Sequence, residues 1–205
     1  TVTILITPRK NATSFEELKY LYPMTTTNIH FCVITPLANE AEGLMIFVNA
    51  LKQSLDSLDS GNVCFIVDHA SKDNTLALCQ QVANEDARFK VIWAPENKNV
   101  VDAYLRGYQE ACKHYDYVIE MDAGMSHNPN ALPQFIDQLK QGYEVVYGSR
   151  FMKGGQITNA PYARLILSRG GTILSNLLLG TNMYDMTSGY IAMKSSIAEQ
   201  MLKYQ

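Results

Sequence analysis

Cysteine is scarce in this 205-residue chain, and Cys32, Cys64, Cys79 and Cys112 stand far apart with no CxxC pair. No histidines sit at a matching spacing, so zinc-site and disulfide-framework readings fall away and a reducing compartment is the better reading. Three of the four, in FCVIT, VCFIV and ALCQQ, read as small core hydrophobes. Long apolar runs are also lacking: none reaches the roughly 18–20 residues that a membrane helix needs. The opening TVTILITPRKNATSF lacks the charged-then-apolar order of a signal peptide. A soluble domain is expected, in the cytoplasm or at the cytoplasmic face of a membrane. An excess of positive charge is missing as well, with 17 Lys and Arg against 20 Asp and Glu. That excludes the basic footprint of a nucleic-acid binder, and any anionic ligand must be held by a few local cations. With no short repeat and 47% hydrophobic residues, coiled-coil, collagen and disordered readings are out. What is present suits one domain with a real core.

Residues 1–28 carry little pattern beyond a short apolar run and a candidate helix, FEELKYLY, and are expected to precede the domain proper. From residue 29 an alternation begins. Strands are expected at 29–35, 63–67, 89–93, 117–121 and 144–147, from their β-branched and apolar runs. Helices are expected between them, opened by Asn39-Glu40, by Ser71-Lys72-Asp73, at 99–114 and at 132–139. Such a succession implies an α/β fold with a mostly parallel central sheet flanked by helices. Ligands of such sheets bind beyond the carboxyl ends of the strands, which directs attention to PLANE, DHAS, MDAG and GSR.

Asp68 follows the second strand, Asp122 the fourth and Arg150 the fifth. Two carboxylates and an arginine at strand ends suit a ligand with hydrogen-bond donors at one end and phosphates at the other. Asp68, just ahead of Ser71, equally suits a turn or helix cap. Beyond Arg150 the chain carries Lys153, Arg164 and Arg169, with Gly154-Gly155 between, and then a leucine-rich stripe from Ile173 to Leu179. Arg164 and Ser168 share a face if this segment is helical. Cations beside such a stripe suit an amphiphile with an anionic head, and equally suit core packing with snorkelling arginines.

Taken together, these segments resemble inverting family 2 glycosyltransferases of the GT-A fold. PLANEAEGL is similar to their PxYNExxNL, VDHASKDNT to VDDGSxDGT and MDAGMSHNP to MDADLSHxP. GSRFMKGG, RLILSRGG and DMTSGYIAM resemble the GTRYxxGG, RxxxSRGAN and DLTSGFR segments of the dolichol- and polyprenyl-phosphate sugar transferase branch. The resemblance spans about residues 29–195, with the motifs in the right order. It implies a GT-A domain over 29–205 that moves a sugar from a nucleotide-diphosphate donor to a polyprenyl phosphate at a membrane surface. On the donor side it places Pro36, Ala38, Glu40, Ile66 and Asp68 at the nucleotide, and Asp122, Ala123 and Gly124 at the diphosphate and its Mg²⁺ or Mn²⁺, with Asp122 as metal ligand. On the acceptor side it places Arg150, Arg164 and Ser168 at the lipid phosphate. Asp122 and Arg150 are the expected catalytic pair.

The departures concentrate on the donor side. Gly124 stands where the family has its second acid, Ala38 where it has an aromatic, and His69 and Ala70 where it has Asp and Gly. The glycine-rich stretch before the third helix is Asn97-Lys98-Asn99-Val100-Val101, without glycine. Loss of one hard oxygen ligand puts metal use in question, and restoring it by Gly124→Asp is expected to strengthen metal-dependent nucleotide binding. The related enzymes continue past their SGF motif into a basic segment that closes over the diphosphate, and the domain is expected to lack that segment. A catalytically impaired relative that keeps lipid-phosphate or nucleotide binding, and a plain nucleotide-binding α/β module, are the alternatives. Sugar, base, polyprenol and oligomeric state are not legible.

Overall fold

A computed structural model describes residues 3–6, 28–152 and 162–204. Strands β1 (Thr3–Ile6), β2 (Phe31–Leu37), β3 (Asn62–Val67), β4 (Phe89–Trp93), β5 (Tyr117–Glu120), β6 (Val145–Ser149) and β7 (Ile191–Lys194) form one sheet in the order β1-β6-β7-β5-β2-β3-β4. Helices α1 (Leu44–Asp56), α2 (Thr75–Glu85), α3 (Val100–Ala111), α4 (Leu132–Lys140), α5 (Tyr162–Leu179) and α6 (Ser195–Leu202) accompany it. Strands β2 to β6 all run one way; β7, inserted between β5 and β6, and β1, at the edge beside β6, run against them. The sheet is thus mixed but mostly parallel, as the alternation of apolar runs predicts.

The expected strand at 29–35 starts and ends two residues later and runs through Pro36. The reason lies in the neighbouring strand. Ile34 O accepts from Met121 N toward β5, and two residues on the Pro36 nitrogen points the same way, past the last β5 partner. No ladder bond is lost there. The segment IAM, read at first only as part of a motif, pairs with β5 and β6 as β7. Of residues 1–28, Thr3–Ile6 joins the sheet by pairing with the free edge of β6; FEELKYLY lies outside the described residues, as do Lys153 and Gly154-Gly155.

Each face of the sheet carries a core. Phe31, Val33, Phe65, Val67 and Ile119 pack under α1, α2 and α4, while Ile34, Cys64, Ile66 and Val118 pack under α3 and α6. Cys32, Cys64 and Cys79 are buried free thiols within these layers, as their surroundings suggested. Helix α5 belongs to neither core. Thr172 is its one buried side chain among the described residues, and Ile166, Leu167, Ile173, Leu174, Leu177 and Leu178 are all exposed. No helix among the described residues is long and apolar enough to cross a membrane.

The order β4-β3-β2-β5 reverses the chain's direction of travel across the sheet between β2 and β5. That switch point opens a crevice beyond the carboxyl ends of these two strands. PLANE lies on one side of it and MDAG on the other.

Candidate functional site

The loops after β2 and β3 are braced to each other by side chains. Asn39 adopts a left-handed backbone, φ 58°, which asparagine tolerates better than most residues. Its Nδ2 donates to Ala70 O at 2.9 Å and its Oδ1 accepts from Lys72 N at 2.8 Å. The next two residues are tied as well. Glu40 N donates to Thr75 Oγ1, and Ala41 N to Asp73 Oδ2. Asp73 also accepts from the hydroxyls of Ser71 and Thr75 and from Thr75 N. These bonds, that from the Thr75 hydroxyl foremost, bring Asp73 down to about 2. Asn39 and Asp73 therefore brace loops rather than open helices directly; α1 begins at Leu44 and α2 at Thr75. Asp68 curls into its own turn, accepting from Ala70 N at 2.8 Å. That is the turn-forming role its position before Ser71 allowed, and one carboxylate oxygen, Oδ2, stays out of it.

Asp122 is oriented from two sides. Tyr104, one turn into α3, donates its hydroxyl to Oδ1 at 2.6 Å, and His127 Nε2 faces Oδ2 at 3.7 Å. The backbone N–H of Asp122 donates to His127 Nδ1 at 2.9 Å, which selects the tautomer protonated at Nε2. The His127 ring stacks on Tyr190 at 4.9 Å between centroids, and Tyr190 stacks on Phe135. Burial first, with the Arg150 charge, pushes His127 below its ordinary value, while Asp122 pulls it up. The Asp122 side chain remains 49% exposed, so its carboxylate looks into the crevice. Burial, then Asp122, raises Glu120 at the end of β5 to about 8. Across the crevice Glu40 is raised by its own burial, by Asp73 and by Asp122.

Arg150 is held by a buried acid. Its Nε and Nη2 donate to the two oxygens of Asp185, both at 2.8 Å, and Nη2 also to Thr187 Oγ1 at 2.6 Å. The Asp185 side chain is wholly buried and that of Arg150 is 30% exposed. Burial works to raise Asp185, but the Arg150 hydrogen bonds outweigh it and hold the carboxyl below its ordinary value. Arg150 and Arg169 lie on the Phe151 ring at 5.3 and 5.2 Å.

The structure thus places Glu40, Asp122, Ala123 and Gly124 at one crevice, with Pro36 and Ala38 half-buried at the end of β2. His127 faces Asp122 at this crevice, and the Arg150 charge adds to the lowering of its pKa. Ile66 is not brought to it by its side chain, which is 1% exposed and packed in the core. Ser168 sits half-buried on α5; the Arg164 side chain lies outside the described residues. Tyr104, His127 and Asp185 are participants that strand-end reasoning missed, whereas Arg169 was already among the cations noted beyond Arg150. Tyr104 carried no signal, being an aromatic at helical spacing, whereas Asp185 in DMTSGY and Arg169 in RLILSRGG lay inside noted motifs.

Comparison with known proteins bears on these motifs directly. Residues 32–202 match the model of glycosyl transferase family 2. A polyprenol monophosphomannose synthase of Mycolicibacterium smegmatis is 32% identical over 171 residues, which cover 82% of this chain and 63% of that protein. A dolichol-phosphate mannosyltransferase of Pyrococcus furiosus is 31% identical, covering 82% and 47%. The chain therefore spans between about half and two thirds of these relatives. Among solved structures, a Mycobacterium tuberculosis glucosyl-3-phosphoglycerate synthase in complex with Mn²⁺, UDP-glucose and phosphoglyceric acid superposes with a TM-score of 0.61. At 16% identity, covering 96% of this chain and 66% of that one, the likeness is one of fold. With the sheet order, the strand-end motifs and the match over most of its length in agreement, the chain belongs to glycosyl transferase family 2 and has the GT-A fold.

Proposed function

We propose that this chain is the GT-A domain of an inverting glycosyltransferase that moves a sugar from a nucleotide diphosphate to a polyprenyl phosphate. The observation that carries the reading is the Asp122 carboxylate, oriented by Tyr104 and His127 and open to the crevice, together with an Arg150 guanidinium preset by buried Asp185 at the end of β6. A phosphate monoester is already an anion, so the acceptor requires positioning more than a base. Arg150, fixed by Asp185, grips it, with Arg169 and the α5 residues Arg164 and Ser168 adding to the grip. Braced loops then hold the donor in line, and alignment lowers the barrier by pre-set geometry.

The residues present fit a divalent cation. Among the described residues no three His, Cys, Asp or Glu side chains gather, yet Asp122 is open to the crevice and a second carboxylate stands over Gly124. Mg²⁺ and Mn²⁺ accept such a sparse protein set because diphosphate oxygens and water complete the shell. When bound, the cation would stabilise charge on the departing diphosphate.

Of the curated relatives, one is by name a dolichol-phosphate mannosyltransferase and one a polyprenol monophosphomannose synthase, and α5 provides what a lipid acceptor requires. Its apolar side chains form an exposed patch beside the arginines, of the kind that marks a membrane or partner surface. The polyprenyl tail and the membrane surface are assigned to this side. Incubating the chain with nucleoside-diphosphate hexoses, Mn²⁺ and a short polyprenyl phosphate in vesicles should yield a lipid-linked sugar. No product from any donor, with acceptor binding also absent, overturns the reading.

A further inference from the structure

We propose that Thr172 and Asn176 on α5 are positioning residues for the acceptor: through the turn that follows the helix they hold Asp185 in place, and Asp185 sets the Arg150 guanidinium. The inference deepens the sugar-transfer reading and rests on it for the identity of the acceptor.

The face that α5 turns toward the rest of the chain has an inverted composition. Ser168, Gly171, Thr172, Ser175 and Asn176 recur at the three- and four-residue steps of one helix face, and all are buried or half-buried. An inward face is ordinarily apolar, yet among the described residues α5 buries no apolar side chain. The helix is therefore attached by hydrogen bonds rather than by a core. Among the described residues, the hydrogen bonds of its side chains all go to the turn that follows it.

That turn folds back along the helix it leaves. Gly180 takes a left-handed φ of 63°, and Thr181 N donates to Asn176 O at 3.1 Å. Asn176 then grips the turn with both ends of its amide. Its Nδ2 donates to Met183 O at 2.7 Å, and its Oδ1 accepts from Met183 N at 2.9 Å and from the Thr181 hydroxyl at 2.8 Å. One helical turn earlier, Thr172 Oγ1 accepts from Met186 N at 3.1 Å. Asp185 lies between Met183 and Met186, so the backbone is clamped to α5 on both sides of the acid.

The clamped acid is what aims the arginine. Asp185 accepts from Arg150 N, Nε and Nη2, and Thr187 accepts from Nη2 as well. Thr187 is itself seated against the helix, since a Cβ built on Gly171 would lie 3.5 Å from its methyl group. A guanidinium held in a bidentate fork points where its acceptor is fixed, and residues behind the acceptor do the fixing. The placement of α5 thus reaches Arg150 through two side chains that do not bond to the arginine themselves.

Thr172→Val and Asn176→Ala test this in the full chain. T172V keeps the shape of the side chain and leaves Met186 N without its acceptor. With a short polyprenyl phosphate in vesicles, KM for the acceptor should rise about ten-fold in each, the equivalent of one lost hydrogen bond. KM for the nucleotide sugar should stay at the wild-type value. T172S restores the hydroxyl and should recover the acceptor KM. In an Arg150→Lys background neither substitution should weaken acceptor use further, because the fork they aim is gone. Amide exchange reads the same linkage without substrate: Arg150 N–H, which donates to Asp185, should exchange about ten-fold faster in T172V and N176A. Unchanged protection at Arg150 overturns the proposal. So does an acceptor KM at the wild-type value, a loss shared equally by donor and acceptor, or a full further loss in R150K. If the wild type transfers no sugar to polyprenyl phosphate, the sugar-transfer reading falls, and exchange at Arg150 still decides whether α5 sets the arginine.

Discussion

The two sides of the crevice, proposed above for donor and acceptor, are built by opposite means. Around β2 and β3 many short neutral and charge-assisted hydrogen bonds cross between loops, centred on Asn39 and Asp73. At the end of β6 one bidentate pair, Arg150 with Asp185, does most of the holding, beside a helix that leaves its apolar side uncovered. Of the departures from the family pattern, Ala38, His69 and Ala70 fall in the cross-braced loops and Gly124 beyond β5. Only Ala70 takes part in a brace, and it does so through its backbone carbonyl, which any residue supplies. A loop pair held by many redundant bonds can change the residues between its braces, whereas an arginine set by one buried acid leaves little room for change.

Five variants would break or sharpen that contrast. The largest loss of stability is expected from Arg150→Met, which strands the fully buried Asp185 charge. About 3 kcal/mol or more should disappear in denaturant unfolding, together with acceptor use. Because Asp185 lies below its ordinary value, the pair's contribution is complete above the unfolded carboxylate range and is lost as pH falls through the folded value. The deficit of R150M relative to wild type should therefore shrink on acidification, and a deficit that grows would contradict the assignment.

Asn39→Ala comes next, at about 2 kcal/mol from two side-chain bonds and a left-handed backbone unsuited to alanine. Asn39→Gly keeps the backbone free and should lose only about half as much; equal losses would deny the backbone any part. The brace also has an acid signature. Asp73 sits at about 2 against an ordinary 3.8, so its contribution is present above the ordinary value and fades only as pH falls toward the lower one. Amide exchange at Ala41 and Thr75 should stay protected above the ordinary value and lose protection as pH falls toward the lower one.

Tyr104→Phe removes the 2.6 Å bond to Asp122 and should lower stability by about 1 kcal/mol. Turnover should fall about ten-fold, the equivalent of one such bond to a charged group, while nucleotide binding without metal holds. Unchanged turnover would show that Asp122 needs no orientation from α3. The smallest stability effect belongs to Leu174→Gln with Leu177→Gln on α5, within about 0.5 kcal/mol because both side chains are already exposed. Flotation with anionic vesicles should nonetheless drop sharply; unaltered flotation would remove the lipid role from this helix.

Much of the scaffold was legible before any coordinates. Runs such as VCFIV, which is buried throughout, and FKVIW, which lies half-buried at the sheet edge, are apolar and β-branched enough to read as strands, and Asn99 capped α3 one residue inside its expected start. Position after a strand sufficed to single out Asp122 and Arg150. Legibility failed where a residue's role depended on a distant partner. IAM looks like any short apolar run until β5 and β6 present two edges to it, and Thr3–Ile6 until β6 presents its remaining edge. Tyr104 is separated from Asp122 by 18 positions and Asp185 from Arg150 by 35, and nothing in local spacing announces either bond.

Local periodicity, turn chemistry and motif order, all properties of neighbouring residues, were enough to determine an α/β domain of this family. Which carboxylates meet was decided only by the sheet. Placing β5 beside β2 sets Glu40 over Gly124, and inserting β7 between β5 and β6 carries the segment before it, with Asp185, under Arg150. Strand order is a long-range outcome of packing, and no stretch of sequence read alone contains it.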